Sequence, residues 1–204
     1  SASLTSRPSS TLTPSFRCIA ETASGMLNSI GLQNVGVERL ISEKMPALKA
    51  LSVPVIVNIS GHAEEEYGEL ADMLDRTEGV AGLEINISCP NVKYKDCKLN
   101  FAQDAKSVER IVRLVREATE KTLICKLSPE VTDITEIARA AEASGADAVS
   151  LINTFPALAV DIKTRKPKLA RTYGGLSGPA IKPIALRMVW KVYNAVKIPV
   201  VGMG

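Results

Sequence analysis

The sequence has little of what metal and redox centres need. Its 204 residues include one histidine and four cysteines (Cys18, Cys89, Cys97 and Cys125), none of which forms a Cys-x-x-Cys pair. This argues against zinc or iron–sulfur ligation within the chain, so we expect no metal site. The cysteines are also too sparse for a disulfide framework, which favours a reducing compartment and a cytoplasmic location.

Aromatic residues, net charge and long apolar runs are scarce as well. Aromatic side chains make up 4% of the chain, and 25 basic against 22 acidic residues leave a formal net charge of +3. Neither value favours a nucleic-acid partner, because such surfaces are strongly basic or rich in stacking rings. No apolar run reaches the ~18 residues of a membrane-spanning helix and no signal-peptide core is visible, so we predict no membrane partner either.

What remains is an ordinary globular mixture, with 46% hydrophobic and 23% charged residues, and a length that suits one domain. Residues 1–18 are rich in Ser, Thr and Pro and contain no acidic residue. A transit peptide has that composition too, but the amphipathic, Arg-rich helix of such a peptide is missing. We therefore predict a loop or disordered segment over 1–18, within a single domain spanning 1–204.

From residue 36 onward, short apolar runs alternate with helical periods. The runs have the length of buried parallel strands: Val53–Ser60, Leu83–Ser88, Leu123–Ser128, Ala148–Asn153 and Ile198–Met203. Four apolar helix stripes lie between or after them: Tyr67, Leu70, Ala71 and Leu74; Val108, Ile111, Val112 and Val115; Ile134, Ile137, Ala138 and Ala141; Ile181, Ala185, Met188 and Val192. Asp133 with Glu136 is a candidate capping pair, and Gly79 and Gly145 are candidate helix C-caps. The alternation predicts an α/β fold with a parallel sheet.

An open doubly wound sheet and a (β/α)8 TIM barrel both fit this alternation. No Gly-rich dinucleotide fingerprint follows any predicted strand, whereas polar residues stand at strand ends, which is how barrel enzymes build their sites. We therefore favour the barrel. Since a closed barrel takes about 250 residues and only five strands are visible, we expect it to be incomplete here, with its first two strands and its last one missing.

Two kinds of polar residue interrupt the apolar strands. Lys126 lies in Leu123–Ser128, where an unpaired ammonium is costly. It either extends from the strand end to solvent or is held for an anion or an electron-rich cofactor ring. Asn86 and Asn91 flank Ser88-Cys89-Pro90, and an amide in a buried strand suits the edge of a planar heterocycle, although a satisfied core amide is as common.

Cys89 stands at the predicted end of a strand and is followed by a proline and a polar loop. A lone cysteine is more often a small buried hydrophobe, but this position favours an acid/base role.

The Gly-rich stretch Gly174–Pro179 opens the fourth predicted helix, where backbone N–H groups can bind an anion. Gly202-Met-Gly204 ends the last strand, where barrels often keep a phosphate site, and His62 is predicted to be a loop residue.

Together, five segments resemble dihydroorotate dehydrogenase, most closely its cytosolic, NAD-linked branch (class 1B). The resemblance covers nearly the whole chain beyond residue 18, in the order of the family. The segments are Gly25–Asn34, Asn86–Lys93, Lys126–Pro129 with Val131–Asp133, Ile152–Thr154 and Gly174–Pro183.

The resemblance implies an FMN-containing (β/α)8 barrel that oxidises dihydroorotate to orotate in pyrimidine biosynthesis. It also implies a homodimer and an electron-transfer subunit carrying FAD and an iron–sulfur cluster. By motif, Cys89 is the base that removes the C5 proton while a hydride leaves C6 for the flavin. The substrate set is Asn28, Ser29, Ile30, Gly31, Leu32, Asn86, Asn91, Asn153 and Thr154. The FMN set is Asn58, Asn86, Lys126, Ile152, Gly178 and Gly204.

The chain departs from the family in three ways. A Thr-Lys-Gly segment that belongs with the first two strands is absent, and so is the eighth strand. The loop over Lys93–Gln103 also lacks the glycines usual there. A non-catalytic remnant that cannot retain flavin therefore stays open as an alternative. A different barrel enzyme acting on phosphorylated substrates fits less well, because it predicts acidic residues at the strand ends.

Overall fold

The computed structural model of the chain describes residues 3–9, 17–87 and 101–203. The strands in this part are β1 (Ile19–Thr22), β2 (Gly25–Asn28), β3 (Val55–Ile59), β4 (Val80–Asn86), β5 (Thr122–Lys126), β6 (Ala148–Leu151), β7 (Phe155–Leu158), β8 (Val160–Asp161), β9 (Lys166–Pro167), β10 (Tyr173–Ser177) and β11 (Val200–Gly202). The α-helices are α1 (Val37–Arg39), α2 (Met45–Lys49), α3 (Glu64–Asp75), α4 (Ala105–Ala118), α5 (Ile134–Ala143) and α6 (Lys182–Tyr193). A π-helical stretch (Leu40–Lys44) joins α1 to α2, and Phe101–Gln103 and Pro179–Ile181 are 3₁₀ turns.

The five predicted strands form one parallel sheet in the order β11-β6-β5-β4-β3. The α/β class and the parallel sheet predicted from the sequence are thus confirmed, with strand bounds that differ by at most three residues. In the described part of the chain β3 and β11 are the two edges of this sheet and do not pair with each other, so the sheet is open.

The core lies between one face of this sheet and the helices. On β4 the side chains of Leu83 and Ile85 are fully buried on the helix side, as alternation along a strand requires. All four predicted helix stripes face this core, and only Met188 among them is half-buried. The Tyr67 hydroxyl donates to the Asn86 carbonyl at 3.0 Å, so α3 is tied to the carboxyl end of β4. No helix within the described ranges is long and apolar enough to cross a lipid bilayer.

Residues 3–9 lie within the segment predicted as a loop and form only isolated bridges, yet the first three of them are packed. Leu4 N donates to the Asn58 carbonyl at 2.7 Å, and Ser60 N donates to the Leu4 carbonyl at 2.8 Å, which makes a parallel bridge beside β3. Ser3 and Leu4 are buried. The rest of the predicted loop, apart from Arg17 and Cys18, lies outside the described residues.

A second sheet, which the sequence did not predict, is antiparallel and has the order β1-β2-β10-β7. The prediction that Gly174–Pro179 is a turn opening a helix was therefore wrong for most of that stretch, because Tyr173–Ser177 is strand β10. The glycines serve close packing instead. A Cβ at Gly175 would lie 2.1 Å from Thr154 Oγ1, and one at Gly174 would lie 2.7 Å from the Asn28 carbonyl oxygen.

The helix ends follow the sequence in part. Asp133 is the N-cap of α5, as predicted, but its carboxylate accepts from Thr135 N at 3.1 Å, and Glu136 makes no reciprocal bond to it. Gly145 has φ +102° directly after the C-cap residue of α5, as a C′ glycine should. The prediction for Gly79 was wrong: α3 has its C-cap at Arg76, and Gly79 (φ +90°) lies in the turn before β4.

Replacing Asp104, the N-cap of α4, should destabilise the fold. Its carboxylate accepts from Ser107 N at 3.0 Å and Ser107 Oγ at 2.8 Å, and these bonds lower its pKa against the opposing effect of burial. Asp104→Ala should therefore cost about 1 kcal/mol of unfolding free energy at pH 7.

Urea unfolding followed by circular dichroism checks this loss and its pH dependence. The folded pKa of Asp104 is lowered, so its stabilisation is present above the ordinary Asp range and is lost as the pH falls through the folded value. The difference in unfolding free energy between the parent and Asp104→Ala should therefore shrink below about pH 4. An equal difference at pH 7 and pH 3 would show that the ionised carboxylate is not the stabilising group.

Candidate active site

Polar side chains line the sheet face opposite the helices, near the carboxyl ends of the strands. The register pairs Asn86 on β4 with Lys126 on β5, and Lys126 with Ser150 on β6. Adjacent strands are roughly 4.8 Å apart, so these three residues are direct neighbours across the sheet. The structure thus brings together Asn86 and Lys126, two of the predicted flavin contacts.

A second pair lies one step nearer the amino ends of the strands. Asn58 on β3 is paired in register with Glu84 on β4, and its Nδ2 donates a short hydrogen bond to Glu84 Oε2. Ser150 Oγ donates to the other oxygen, Glu84 Oε1, at 2.7 Å. Sequence reasoning missed Glu84. Two signals could have found it. Alternation along the predicted strand puts Glu84 on the same face as Asn86, and Glu84 is a charged residue within an apolar strand, which is the reason that Lys126 was singled out.

Within the described part of the chain, two buried polar atoms at this face have no hydrogen-bond partner. They are Asn58 Oδ1 and Ser60 Oγ, from β3 and the residue directly after it. Buried polar atoms are normally paired, and an unpaired one often marks the place of a missing ligand or water. An acceptor such as Oδ1 suits a ring with an N–H group, so these residues fit a flavin.

The side chains of Asn86 and Lys126 differ in their partners. Asn86 is buried and its Nδ2 donates to Ser3 Oγ at 2.5 Å. Lys126 is half-buried, and no carboxylate oxygen of the described residues lies within 4.0 Å of its ammonium. A cation in that position is available to a negatively charged or electron-rich ligand.

The chain after β6 carries three more predicted residues. Ile152 is buried and its N–H donates to the Met203 carbonyl at 3.2 Å, while Asn153 N donates to the Leu127 carbonyl at 3.2 Å. These bonds hold the carboxyl end of β6 between the ends of β5 and β11. The Asn153 Oδ1 atom accepts from Thr154 N at 2.9 Å, which turns the chain toward β7.

The predicted substrate residues Asn28 and Thr154 both neighbour Gly175 of the antiparallel sheet. Asn28 on β2 is paired in register with Gly175 on β10, and the Thr154 side chain lies against the same glycine. The segment after Asn28 is held by Asn34, whose Oδ1 accepts from Gly36 N at 2.9 Å and whose Nδ2 donates to the Leu32 carbonyl at 2.8 Å. No local sequence pattern indicates this anchoring role of Asn34.

The other members of the segment Asn28–Leu32 are held by a backbone hydrogen bond and by the backbone conformation of Gly31. Ser29 is buried, and its N–H donates to the Cys18 carbonyl at 2.8 Å. Gly31 has φ +80°, in the left-handed region that favours glycine, and it lies between half-buried Ile30 and buried Leu32. Backbone geometry therefore accounts for the glycine.

The start of α6 differs from the predicted anion site. Gly178 has φ +102°, and a Cβ there would lie 3.0 Å from Gly25 Cα, so this position needs glycine. The N–H of Ala180 donates to the Ser24 carbonyl at 2.8 Å, and that of Ile181 donates to the Gly178 carbonyl at 3.1 Å. The N–H groups of Ala180 and Ile181 therefore already donate to carbonyls of the protein. The expectation that N–H groups before this helix are free to bind an anion was wrong for these two residues.

Two further expectations concern His62 and the cysteines. His62 precedes α3 in a loop, as predicted, and its Nδ1 is 3.6 Å from Glu66 Oε2. Cys125 is fully buried, and burial together with the charge of Glu84 raises its pKa to about 12, so it is protonated at neutral pH. Cys89, Asn91 and Gly204 lie outside the described residues.

Comparison with known proteins assigns the family. The family model described as dihydroorotate dehydrogenase matches residues 13–204. The chain belongs to the dihydroorotate dehydrogenase family. It is 57% identical to dihydroorotate dehydrogenase B (NAD(+)), catalytic subunit, of Geotalea uraniireducens, and 56% identical to the proteins of that name from Geobacter metallireducens and Geobacter sulfurreducens. Each match covers 91% of this chain and 60% of the relative.

These dihydroorotate dehydrogenase relatives confirm the resemblance to the family and to its NAD-linked branch, which the five sequence segments had indicated. The chain spans 60% of the length of these relatives.

Proposed function

We propose that this chain forms the FMN and substrate sites of a catalytic subunit that oxidises dihydroorotate to orotate in pyrimidine biosynthesis. The observation that carries this proposal is the cluster of Asn58, Asn86 and Lys126 on one sheet face, where the buried Asn58 Oδ1 atom has no partner among the described residues. The same proposal makes the five-stranded sheet part of a (β/α)8 barrel, whose strand ends carry the site.

In this proposal the residues that hold FMN are Asn58, Asn86, Lys126, Ile152, Gly178 and Gly204. FMN supplies the acceptor for the hydride from C6 of the substrate. Lys126 contributes a positive charge on the sheet face, with no carboxylate of the described residues within 4.0 Å to neutralise it. Such a charge stabilises an electron-rich ring.

The residues that hold dihydroorotate are Asn28, Ser29, Ile30, Gly31, Leu32, Asn86, Asn91, Asn153 and Thr154. Amide side chains present both a donor and an acceptor, which matches the alternating N–H and C=O groups of a pyrimidine ring. The proximity of Asn28 and Thr154 at Gly175 supports their action on one ligand. Cys89 is the proposed base, and its Sγ accepts the C5 proton of the substrate.

We expect the purified chain to bind FMN and, with dihydroorotate, to reduce an artificial electron acceptor without forming NADH. As the family resemblance implies, electrons would pass to NAD through a second subunit with FAD and an iron–sulfur cluster. The chain itself has no dinucleotide fingerprint and no cysteine cluster with which to do so. The catalytic subunit is also proposed to form a homodimer.

Visible absorbance, acceptor assays and NADH fluorescence measure these outcomes. Protein that stays colourless after incubation with FMN would favour the non-catalytic remnant. NADH production by the chain alone would contradict the assignment to a branch that needs a partner subunit.

A further inference from the structure

Glu84 is the acidic residue that joins the strands of the candidate site. It lies on β4 between Leu83 and Ile85, which are fully buried on the opposite, helix-facing side. Its carboxylate accepts from Asn58 Nδ2 on one oxygen and from Ser150 Oγ on the other, at 2.7 Å for the latter. One side chain thus connects β3, β4 and β6 across β5.

The contact with Glu84 decides which way the Asn58 amide points. A carboxylate can only accept hydrogen bonds, so the amide must turn its NH₂ group toward Glu84 and its Oδ1 away. Oδ1 is then left as a buried acceptor without a partner in the described structure. The hydrogen bond to Glu84 is the contact of Asn58 Nδ2 that favours this orientation. If the carboxylate were removed, that contact would no longer favour this orientation of the amide over the flipped one.

We propose that Glu84 is a positioning residue of the flavin site, which holds Asn58 so that Oδ1 accepts a hydrogen bond from a ring N–H of the cofactor. This inference rests on the proposed function. It assigns Glu84 no contact with substrate or cofactor. Oxidised flavin has one N–H on its ring system, in the imide group. In the observed orientation of Asn58, Oδ1 can accept a hydrogen bond from this N–H, whereas in the flipped orientation the NH₂ group of Asn58 would face it as a second donor.

The experiment measures the dissociation constant of FMN by the change in flavin fluorescence, for the parent chain and for Glu84→Gln. A glutamine keeps the size of the side chain but can donate to Oδ1 and so stabilise the flipped amide. Loss of one matched hydrogen bond, with two donors facing each other, should weaken FMN binding about tenfold or more. Glu142→Gln is the matched control, because Glu142 Oε1 also accepts two bonds, from Lys197 N at 2.7 Å and Ile198 N at 3.2 Å, outside the site.

Two further readouts separate positioning from a general structural role. In the background of Asn58→Ala, Glu84→Gln should weaken FMN binding less than about twofold further, since its effect passes through Asn58. The parent should also bind FMN about tenfold more tightly than 3-methyl-FMN, which lacks the imide N–H, and Glu84→Gln should lose that preference. Ser150→Ala removes the hydrogen bond to one oxygen of Glu84, so it should also weaken FMN binding, but less than Glu84→Gln does. If Glu84→Gln does not fold, the FMN affinity of Ser150→Ala tests the positioning role.

The outcomes distinguish this inference from the proposed function. A parent chain that binds no FMN would overturn both. A parent that binds FMN while Glu84→Gln and Ser150→Ala bind it equally well would overturn only the positioning role. An equal loss on Glu84→Gln with and without the Asn58 side chain would also overturn that role, because Glu84 would then act by another route.

Discussion

Cys89→Ala should retain FMN and bind orotate, yet its flavin should be reduced by dihydroorotate at least ~100-fold more slowly than in the parent. The C5 proton of the substrate is only weakly acidic, so its removal needs a positioned base, and such a base typically contributes ~10²–10⁴ in rate. Stopped-flow absorbance of the flavin measures this step directly. The measurement is made on the chain itself and on a chimera whose flanking segments come from the Geotalea relative.

The pH dependence of this rate identifies the group involved. An ordinary thiol ionises near pH 8.5, so the parent rate should rise toward alkaline pH as the Cys89 thiolate forms. Cys89→Ser should have an intermediate rate that rises only at higher pH, because a hydroxyl is the weaker acid. Cys125→Ala is the control, since the pKa of Cys125 is about 12 and its titration lies outside this range. If Cys89→Ala reduces its flavin at the parental rate, Cys89 is a small hydrophobe and no base.

The parallel sheet could be predicted from the sequence because its strands carry a local signal. Each is a short apolar run, and the runs of β3, β4 and β5 are followed by helices with a single apolar face, a pattern that needs no knowledge of distant residues. Val53–Ser60 and Leu123–Ser128 illustrate it: the observed strands β3 and β5 lie within or beside these runs. Strand ends then placed Asn86 and Lys126 at one edge, where the register indeed makes them neighbours.

The antiparallel sheet could not be predicted in the same way. Its strands are four or five residues long and include Gly174, Gly175 and Pro156, which are uncommon in strands. Their pairing joins β2 to β10 across about three quarters of the chain, and no local pattern records such a distant partner. The glycines are required because Asn28 and Thr154 approach the backbone closely, a reason visible only in three dimensions.

The contacts of Glu84 show a similar limit. Alternation along β4 predicts the face on which it lies, but its partners Asn58 and Ser150 come from strands 26 and 66 residues away. Whether a charged strand residue is paired or free depends on those partners. Glu84 therefore appears in the sequence as a single charge within an apolar strand, whereas in the structure its carboxylate connects three strands.

Lys126→Ala should weaken FMN binding about tenfold and lower the reduction potential of the bound flavin by at least ~30 mV. Reduction adds negative charge to the ring, and a unit charge nearby in a protein interior contributes a few kcal/mol. For a two-electron couple, ~1.4 kcal/mol corresponds to ~30 mV. Lys126 has no carboxylate within 4.0 Å among the described residues, so none of them forms an ion pair with it.

Redox titration against a reference dye measures the potential, and two variants make the result specific. Lys126→Arg keeps the charge and should stay closer to the parent potential than Lys126→Ala does. Lys121→Ala removes a positive charge just before the amino end of β5, away from the strand ends that carry the site, and should leave the potential unchanged. If Lys126→Ala has the parental potential, the lysine extends to solvent from the end of the strand, and stabilisation of the reduced ring must come from other residues.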